Sequence, residues 1–201
     1  MKPYSEACER NREPILEVLR TALADSRRVL EIGSGSGQHA VYFGAHLPFV
    51  TWQTSELSAH HAGIMAWLDE AQLPNVLPPR VLDVNDANWT ALQYDAVFTS
   101  NTLHIVAWEA VERMFAGLAR ALPERGVLVV YGPFNYGGSY TSPSNALFDQ
   151  WLKARDPASA IRDFERVDAL ARSHGFVLER DVAMPANNRT LVWRRLSENT
   201  R

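Results

Sequence analysis

The chain has 201 residues, 46% of them hydrophobic and 21% charged, with 20 basic against 23 acidic side chains and a formal net charge of −3. This mixture excludes a disordered polyelectrolyte, and no window approaches the roughly 20 apolar residues of a membrane span, the longest unbroken apolar run being Val127 to Tyr131. A single cysteine, Cys8, excludes an internal disulfide, no Cys/His cluster has metal-ligand spacing, and no basic tract suggests a nucleic-acid partner.

In chain order, apolar residues at helical spacing predict a helix over 13–24, with Pro14 in its first turn. Val29 to Ile32 reads as a strand entering Gly33-Ser34-Gly35-Ser36-Gly37, and Gln38 to Leu47 as the next helix. Phe49 to Thr54 is a second strand, with Ser58 as N-cap of a helix carrying Ile64, Met65, Trp67 and Leu68. Val81-Leu82 forms a third strand ending at Asp83, and Tyr94 to Thr99 a fourth. A helix over Val111 to Leu122 precedes the strand Val127 to Tyr131.

Residues 132–144 are rich in turn formers and read as a long functional or disordered loop. A short helix around Leu147 to Leu152, a helix Phe164 to His174 stopped by Gly175, and a strand pair Phe176 to Ala183 and Thr190 to Arg194 complete the chain. The expected organisation is one α/β domain over 1–196, a Rossmann-like three-layer sandwich with a mostly parallel seven-stranded sheet and a C-terminal antiparallel hairpin, and a frayed tail over 197–201. With no signal-peptide pattern at the N-terminus, a cytoplasmic location is expected.

A strand, closely spaced glycines and a helix make a nucleotide-binding device. The dinucleotide fingerprint fails, because the sixth position from Gly33 is Gln38, which disfavours an NAD-dependent oxidoreductase. An acid, Glu31, stands instead at the strand end, where it would repel phosphate and suit a cation. Glu56 follows Gly37 by 19 residues at the next strand end, placed to accept hydrogen bonds from two ribose hydroxyls, and Asp83 ends the third strand.

This arrangement resembles motif I of class I S-adenosylmethionine-dependent methyltransferases. The resemblance implies S-adenosylmethionine as cofactor, held by Glu31, Gly33, Ser34, Gly35, Gly37, Glu56, Leu57, Asp83, Val84 and Asn101, with Ser100 and Thr102 beside the methionine moiety. Further blocks, Glu9-Arg10-Asn11, Asn101-Thr102-Leu103-His104-Ile105, Tyr131-Gly132-Pro133-Phe134, Arg155-Asp156-Pro157, Ile161-Arg162-Asp163-Phe164 and Met184-Pro185-Ala186-Asn187-Asn188, resemble the methyltransferase-like protein 26 family over nearly the whole chain. That family brings a fold and a cofactor but no substrate.

His104 is either a base or acceptor-orienting group, or a histidine packed at a strand end. Tyr131 either takes part in catalysis by orienting a substrate or walls the cofactor, and Asn135, Tyr136 and Asn187 are candidate substrate contacts. Arg162 is either a carboxylate-binding residue or a surface ion-pair partner, and Asp163 an N-cap. Arg10 and Asn11 either fold over the cofactor as part of an N-terminal lid or serve ordinary helix-start chemistry. His39, His46, His60, His61 and His174 form no ligand pattern, so no metal is expected. The motif Asn-Pro-Pro-Tyr, which serves amino-group acceptors, is absent after the fourth strand, and the reading favours a small-molecule acceptor. The alternative is a non-catalytic cofactor-binding regulator or scaffold.

Overall fold

The computed structural model describes residues 2–86 and 94–197. Helix α1 (Glu6–Ala22) precedes β1 (Arg28–Ile32), α2 (Gln38–His46), β2 (Thr51–Glu56), α3 (His61–Ala71) and β3 (Val76–Val81). β4 (Ala96–Ser100), α4 (Trp108–Ala121), β5 (Val127–Asn135), α5 (Pro143–Arg155), β6 (Arg162–Asp163), α6 (Phe164–Ser173), β7 (Phe176–Met184) and β8 (Asn188–Arg195) follow.

The sheet runs β3-β2-β1-β4-β5-β8-β7, with the two-residue β6 paired beside the end of β5. β3, β2, β1, β4 and β5 are parallel to one another, while β8 is antiparallel to both β5 and β7. This is the expected Rossmann-like sandwich with its terminal hairpin. Alternation along the strands divides the core into two layers. Leu30, Val97, Leu128 and Trp193 meet Met114, Phe115 and Val167 on one face. Val29, Phe98, Val129 and Trp52 meet Ile15, Leu19, Phe43 and Ile64 on the other. Two runs of buried strand side chains sandwiched between helices supply the bulk of the hydrophobic stabilisation.

Several expected boundaries move, each for a physical reason. Helix α1 starts at Glu6 rather than residue 13, because Ser5 caps it by accepting the Cys8 amide at 3.3 Å and Glu6 and Glu9 suit the positive end of the helix dipole. Pro14 therefore lies inside the helix, where its ring removes one backbone donor. Ser58 opens a short 3-10 turn over Ser58–His60, and the residue capping α3 is His60.

β3 begins at Val76 and includes Pro78 and Pro79, which an edge strand tolerates because one side needs no donors. The long loop expected over 132–144 does not form. β5 continues buried to Asn135, and Gly137 and Gly138, both left-handed, make a tight turn closed by paired backbone bonds between Tyr136 and Ser139. Ser142 then caps α5, with Pro143 in its first turn. Of the tail expected to fray, only Ser197 lies within the described residues.

Candidate functional site

The glycine loop connects β1 to α2 beyond the carboxyl ends of the parallel strands, the usual ligand edge of an open α/β sheet. Gly33, Gly35 and Gly37 have φ of +71°, +55° and +89°, a region costly for any residue with a Cβ. A Cβ at Gly33 would stand 2.9 Å from Thr102 Oγ1, and one at Gly37 3.1 Å from Ile64 Cα. At Gly35 it would meet nothing within 4 Å, so this residue faces open space. Ser34 fixes the loop to β2: its amide donates to the Ser55 carbonyl at 3.0 Å, and its Oγ accepts from the Ser55 amide at 3.1 Å.

Glu56, at the end of β2, accepts from the Gly35 amide through Oε2 at 3.1 Å and from the Leu57 amide through Oε1 at 2.9 Å. The carboxylate is aimed by two backbone donors, and each oxygen keeps a lone pair for a ligand hydroxyl. A cleft of about 520 Å3 opens beside it, with Ser5 and Cys8 of the α1 start, Gly33 to Ser36, His39, Leu57, Asn101 and Thr102 among its walls. Gln38 holds the α1 start over this cleft through bonds to the Ser5 amide and carbonyl.

Glu31 does not line the cleft. Its side chain points from β1 into the layer under α1 and α2, is 1% exposed, and accepts from Trp52 Nε1 at 3.1 Å. Burial lifts its pKa to about 7, a shift opposed by the Trp52 and Ser34 hydrogen bonds. Glu56 therefore carries the formal negative charge at the cleft wall. Asp83 closes its own turn by accepting the Asn85 amide at 2.8 Å, Val84 is buried in the core, and neither is among the cleft's described walls.

A second cleft of about 440 Å3 adjoins the first, and Asn101 lines both. Asn101 follows β4 in a left-handed conformation, with φ +55°, and its amide donates to the Tyr131 carbonyl at 2.9 Å. The second cleft is walled by Arg10 and Asn11 from α1, Tyr131 and Pro133 from β5, Ser144, Asn145 and Phe148 from α5, and the β7–β8 turn at Pro185, Ala186 and Asn188. β7 is parallel to β5, which brings that turn to the ligand edge.

Tyr131 is buried, and its hydroxyl meets Asn11 and Asn188; desolvation raises its pKa, so it is a neutral phenol at pH 7. Asn11 Oδ1 also lies 2.7 Å from His39 Nε2. His39 stacks on Phe43 and is held neutral, its pKa lowered to about 4 by burial and, secondarily, by Arg12. The sequence patterns singled out neither this His39–Asn11–Tyr131–Asn188 arrangement nor Cys8 and Phe148, because their spacing in the chain is irregular. Their shared signal is position at strand and helix ends facing one edge.

His104 is buried edge-on to Phe148, its pKa lowered to about 4 by burial and by the nearby Arg162. It lies behind Gly132, outside the described walls of both clefts. Arg162 donates to the carbonyls of Leu103, Val106 and Ala158, pinning the segment after β4, and pairs with no surface acid among the described residues. Asp163 takes the N-cap position of α6 without a side-chain cap bond.

Tyr136 donates to Asp181 Oδ2 at 2.8 Å, stacks on Phe164 and lies under Arg189, outside the described walls of both clefts. Asn135 is buried and its Oδ1 has no partner among the described residues. Asn187, left-handed with φ +57°, sits beside the second cleft, and its carbonyl accepts from Asn145 Nδ2 at 3.2 Å. No group of three or more His, Cys, Asp or Glu able to hold a metal occurs among the described residues.

The model of the family described as protein of unknown function (DUF938) matches residues 2–195. The chain belongs to this family. Among solved structures, the DUF938 chain is similar to an O-methyltransferase family protein from Burkholderia thailandensis, with a TM-score of 0.82 and 16% identity, covering 92% of this chain and 56% of that one. It is also similar to an O-methyltransferase family 2 protein from Planctomyces limnophilus in complex with apigenin, with a TM-score of 0.82, 14% identity and coverage of 92% and 56%. The apo S-adenosylmethionine-dependent methyltransferase SibL gives a TM-score of 0.79, 18% identity and coverage of 94% and 56%. This chain thus spans about half the length of those proteins, and the likeness establishes a shared fold. No helix among the described residues is long and apolar enough to cross a membrane.

Proposed function

We propose that this DUF938 chain is an S-adenosylmethionine-dependent methyltransferase acting on a small-molecule acceptor. The observation that carries this reading is the meeting of two clefts at Asn101, beyond the carboxyl ends of β1, β4 and β5. The first has Glu56 and no Lys or Arg among its described walls, a charge pattern that suits a sulfonium and an α-ammonium group and opposes phosphate. The donor set also fits: Glu56 for the ribose hydroxyls, Gly35 for close backbone approach, and Ser100, Asn101 and Thr102 for the amino-acid portion. The structural relatives named O-methyltransferases support the same reading.

Bound in the first cleft, S-adenosylmethionine supplies an electrophilic methyl group. The chain's own contribution is then mainly placement and exclusion of water: Asn101 at the junction, the α1 start as a wall over the first cleft, and Tyr131 and Phe148 as walls of the second. Tyr131, hydrogen-bonded and neutral, serves to orient the acceptor. His104 acts as a positioning residue behind Gly132. Asn187 shapes the cleft rim, while Asn135, buried beside the β6 pairing, supports the end of β5.

We further assign the chain to the methyltransferase-like protein 26 group. Three of its resembling blocks, at 101–105, 131–134 and 184–188, supply residues that line the clefts. Calorimetric titration with S-adenosylmethionine and S-adenosylhomocysteine, with NADH as control, tests the cofactor assignment. Saturable binding of the first two alone is expected, and binding of neither by folded protein overturns it. Acceptor-dependent formation of S-adenosylhomocysteine then tests turnover.

A further inference from the structure

Resting on the methyltransferase reading, we propose that the second cleft takes acceptors bearing a carboxylate, and that Arg10 receives it. Among the described residues, Arg10 is the one permanently charged side chain lining this cleft, and no Asp or Glu lines it. The other polar walls are Asn11, Asn101, Asn145, Asn188, Ser144 and Tyr131, neutral groups that neither repel an anion nor compete for the guanidinium. The first cleft has the opposite sign, set by Glu56. Of the two adjoining clefts, Glu56 disfavours an acceptor carboxylate in the first, whereas Arg10 favours it in the second.

Arg10 is held at present by Glu6, one helical turn earlier on α1, with Nη1 to Oε2 at 3.2 Å and both side chains largely exposed. Such an exposed pair is weak. A ligand carboxylate in the partly enclosed cleft can take the same fork with two parallel bonds and less water around it. Phe148, Pro133, Pro185 and Ala186 give the rest of the cleft an apolar lining, and its volume suits a compact organic acid rather than a polymer segment. The positive charge of Arg10 also acts on the Tyr131 hydroxyl, where it opposes the rise in pKa that desolvation causes.

The test uses matched probes that differ only in charge: benzoate with benzamide, phenylacetate with phenylacetamide, and hexanoate with hexanamide. Binding of each to the full chain is measured by ligand-observed NMR, with and without S-adenosylhomocysteine, whose own binding is measured in the same samples. At least one carboxylate is expected to bind about tenfold more tightly than its amide. Arg10→Gln should abolish that preference, and Glu6→Gln, which removes the internal competitor, should strengthen carboxylate binding. Melting curves of both variants guard against loss of the fold.

Amides binding as tightly as carboxylates, or a preference that survives Arg10→Gln, would overturn the proposal. Carboxylates bound through Arg10 by protein that ignores S-adenosylhomocysteine would keep the anion cleft and sink the methyltransferase reading. S-adenosylhomocysteine bound by protein that ignores all three carboxylates would do the reverse.

Discussion

His39 Nε2 lies 2.7 Å from Asn11 Oδ1, and this buried contact ties α2 at the first cleft to α1 at the second. Asn11 is also a partner of the Tyr131 hydroxyl, so one amide serves both an imidazole and a phenol. Asn11→Leu should leave His39 Nε2 without its partner and the Tyr131 hydroxyl with Asn188 alone, and cost about 1–3 kcal/mol, read as a lowered urea midpoint. Because Ser5 and Cys8 of the same helix wall the first cleft, affinity for S-adenosylmethionine should fall as well.

The glycines of the loop should separate by what surrounds them. Gly37→Ala drives a Cβ against the Ile64 backbone and should destabilise the fold by about 2 kcal/mol or more, measured by thermal unfolding. Gly35→Ala meets no protein atom and should cost only about 1 kcal/mol of backbone strain, while weakening cofactor binding measured by calorimetry. Equal effects of the two on binding and stability would count against Gly35 as the point of ligand approach.

Glu56→Gln keeps the shape of the side chain but removes its charge and turns one acceptor oxygen into a donor. The Gly35 and Leu57 amides cannot both keep their partners. Cofactor affinity should drop by about 1.5–3 kcal/mol, or roughly ten- to a hundredfold, in a calorimetric titration.

Glu31 gives the protein a pH dependence of defined sign. Its folded-state pKa of about 7 stands above the ordinary 4.5, so the folded chain holds this proton more tightly. That contribution is fully present below pH 4.5 and is lost as pH rises through 7. Glu31→Gln should therefore be more stable relative to the parent at pH 8 than at pH 4, by about 3 kcal/mol, as measured by urea unfolding at the two pH values.

Tyr136→Phe removes the hydroxyl bonded to Asp181, away from both described clefts. A loss of about 1–2 kcal/mol of stability with unchanged S-adenosylmethionine affinity is expected. A changed cofactor affinity with unchanged stability would return Tyr136 to the site.

The fold was legible in the sequence where periodicity and turn chemistry agree. Val127 to Tyr131 and the apolar stripe of α4 mark a buried strand and a helix by pattern alone, and Gly33-Ser-Gly35-Ser-Gly37 after a strand marks a tight strand-to-helix loop because glycine suits those positive φ values best. Glu56 was readable too, as an acid at a strand end. The sequence by itself thus determined the layered α/β architecture, the glycine loop and an acid at the end of β2.

Only the tertiary structure decided which side of a strand each polar residue faces and which distant segments meet. Strand alternation and the packing of α1 over the sheet turn Glu31 toward Trp52, and three carbonyls after β4 and near Ala158 claim Arg162. The hairpin β7–β8, reversing beside β5, brings Asn188 to Tyr131 and closes the second cleft around Arg10. Residue type and spacing encode local periodicity, whereas such contacts depend on the relative placement of elements far apart in the chain, which is set by how two apolar layers pack against one twisted sheet.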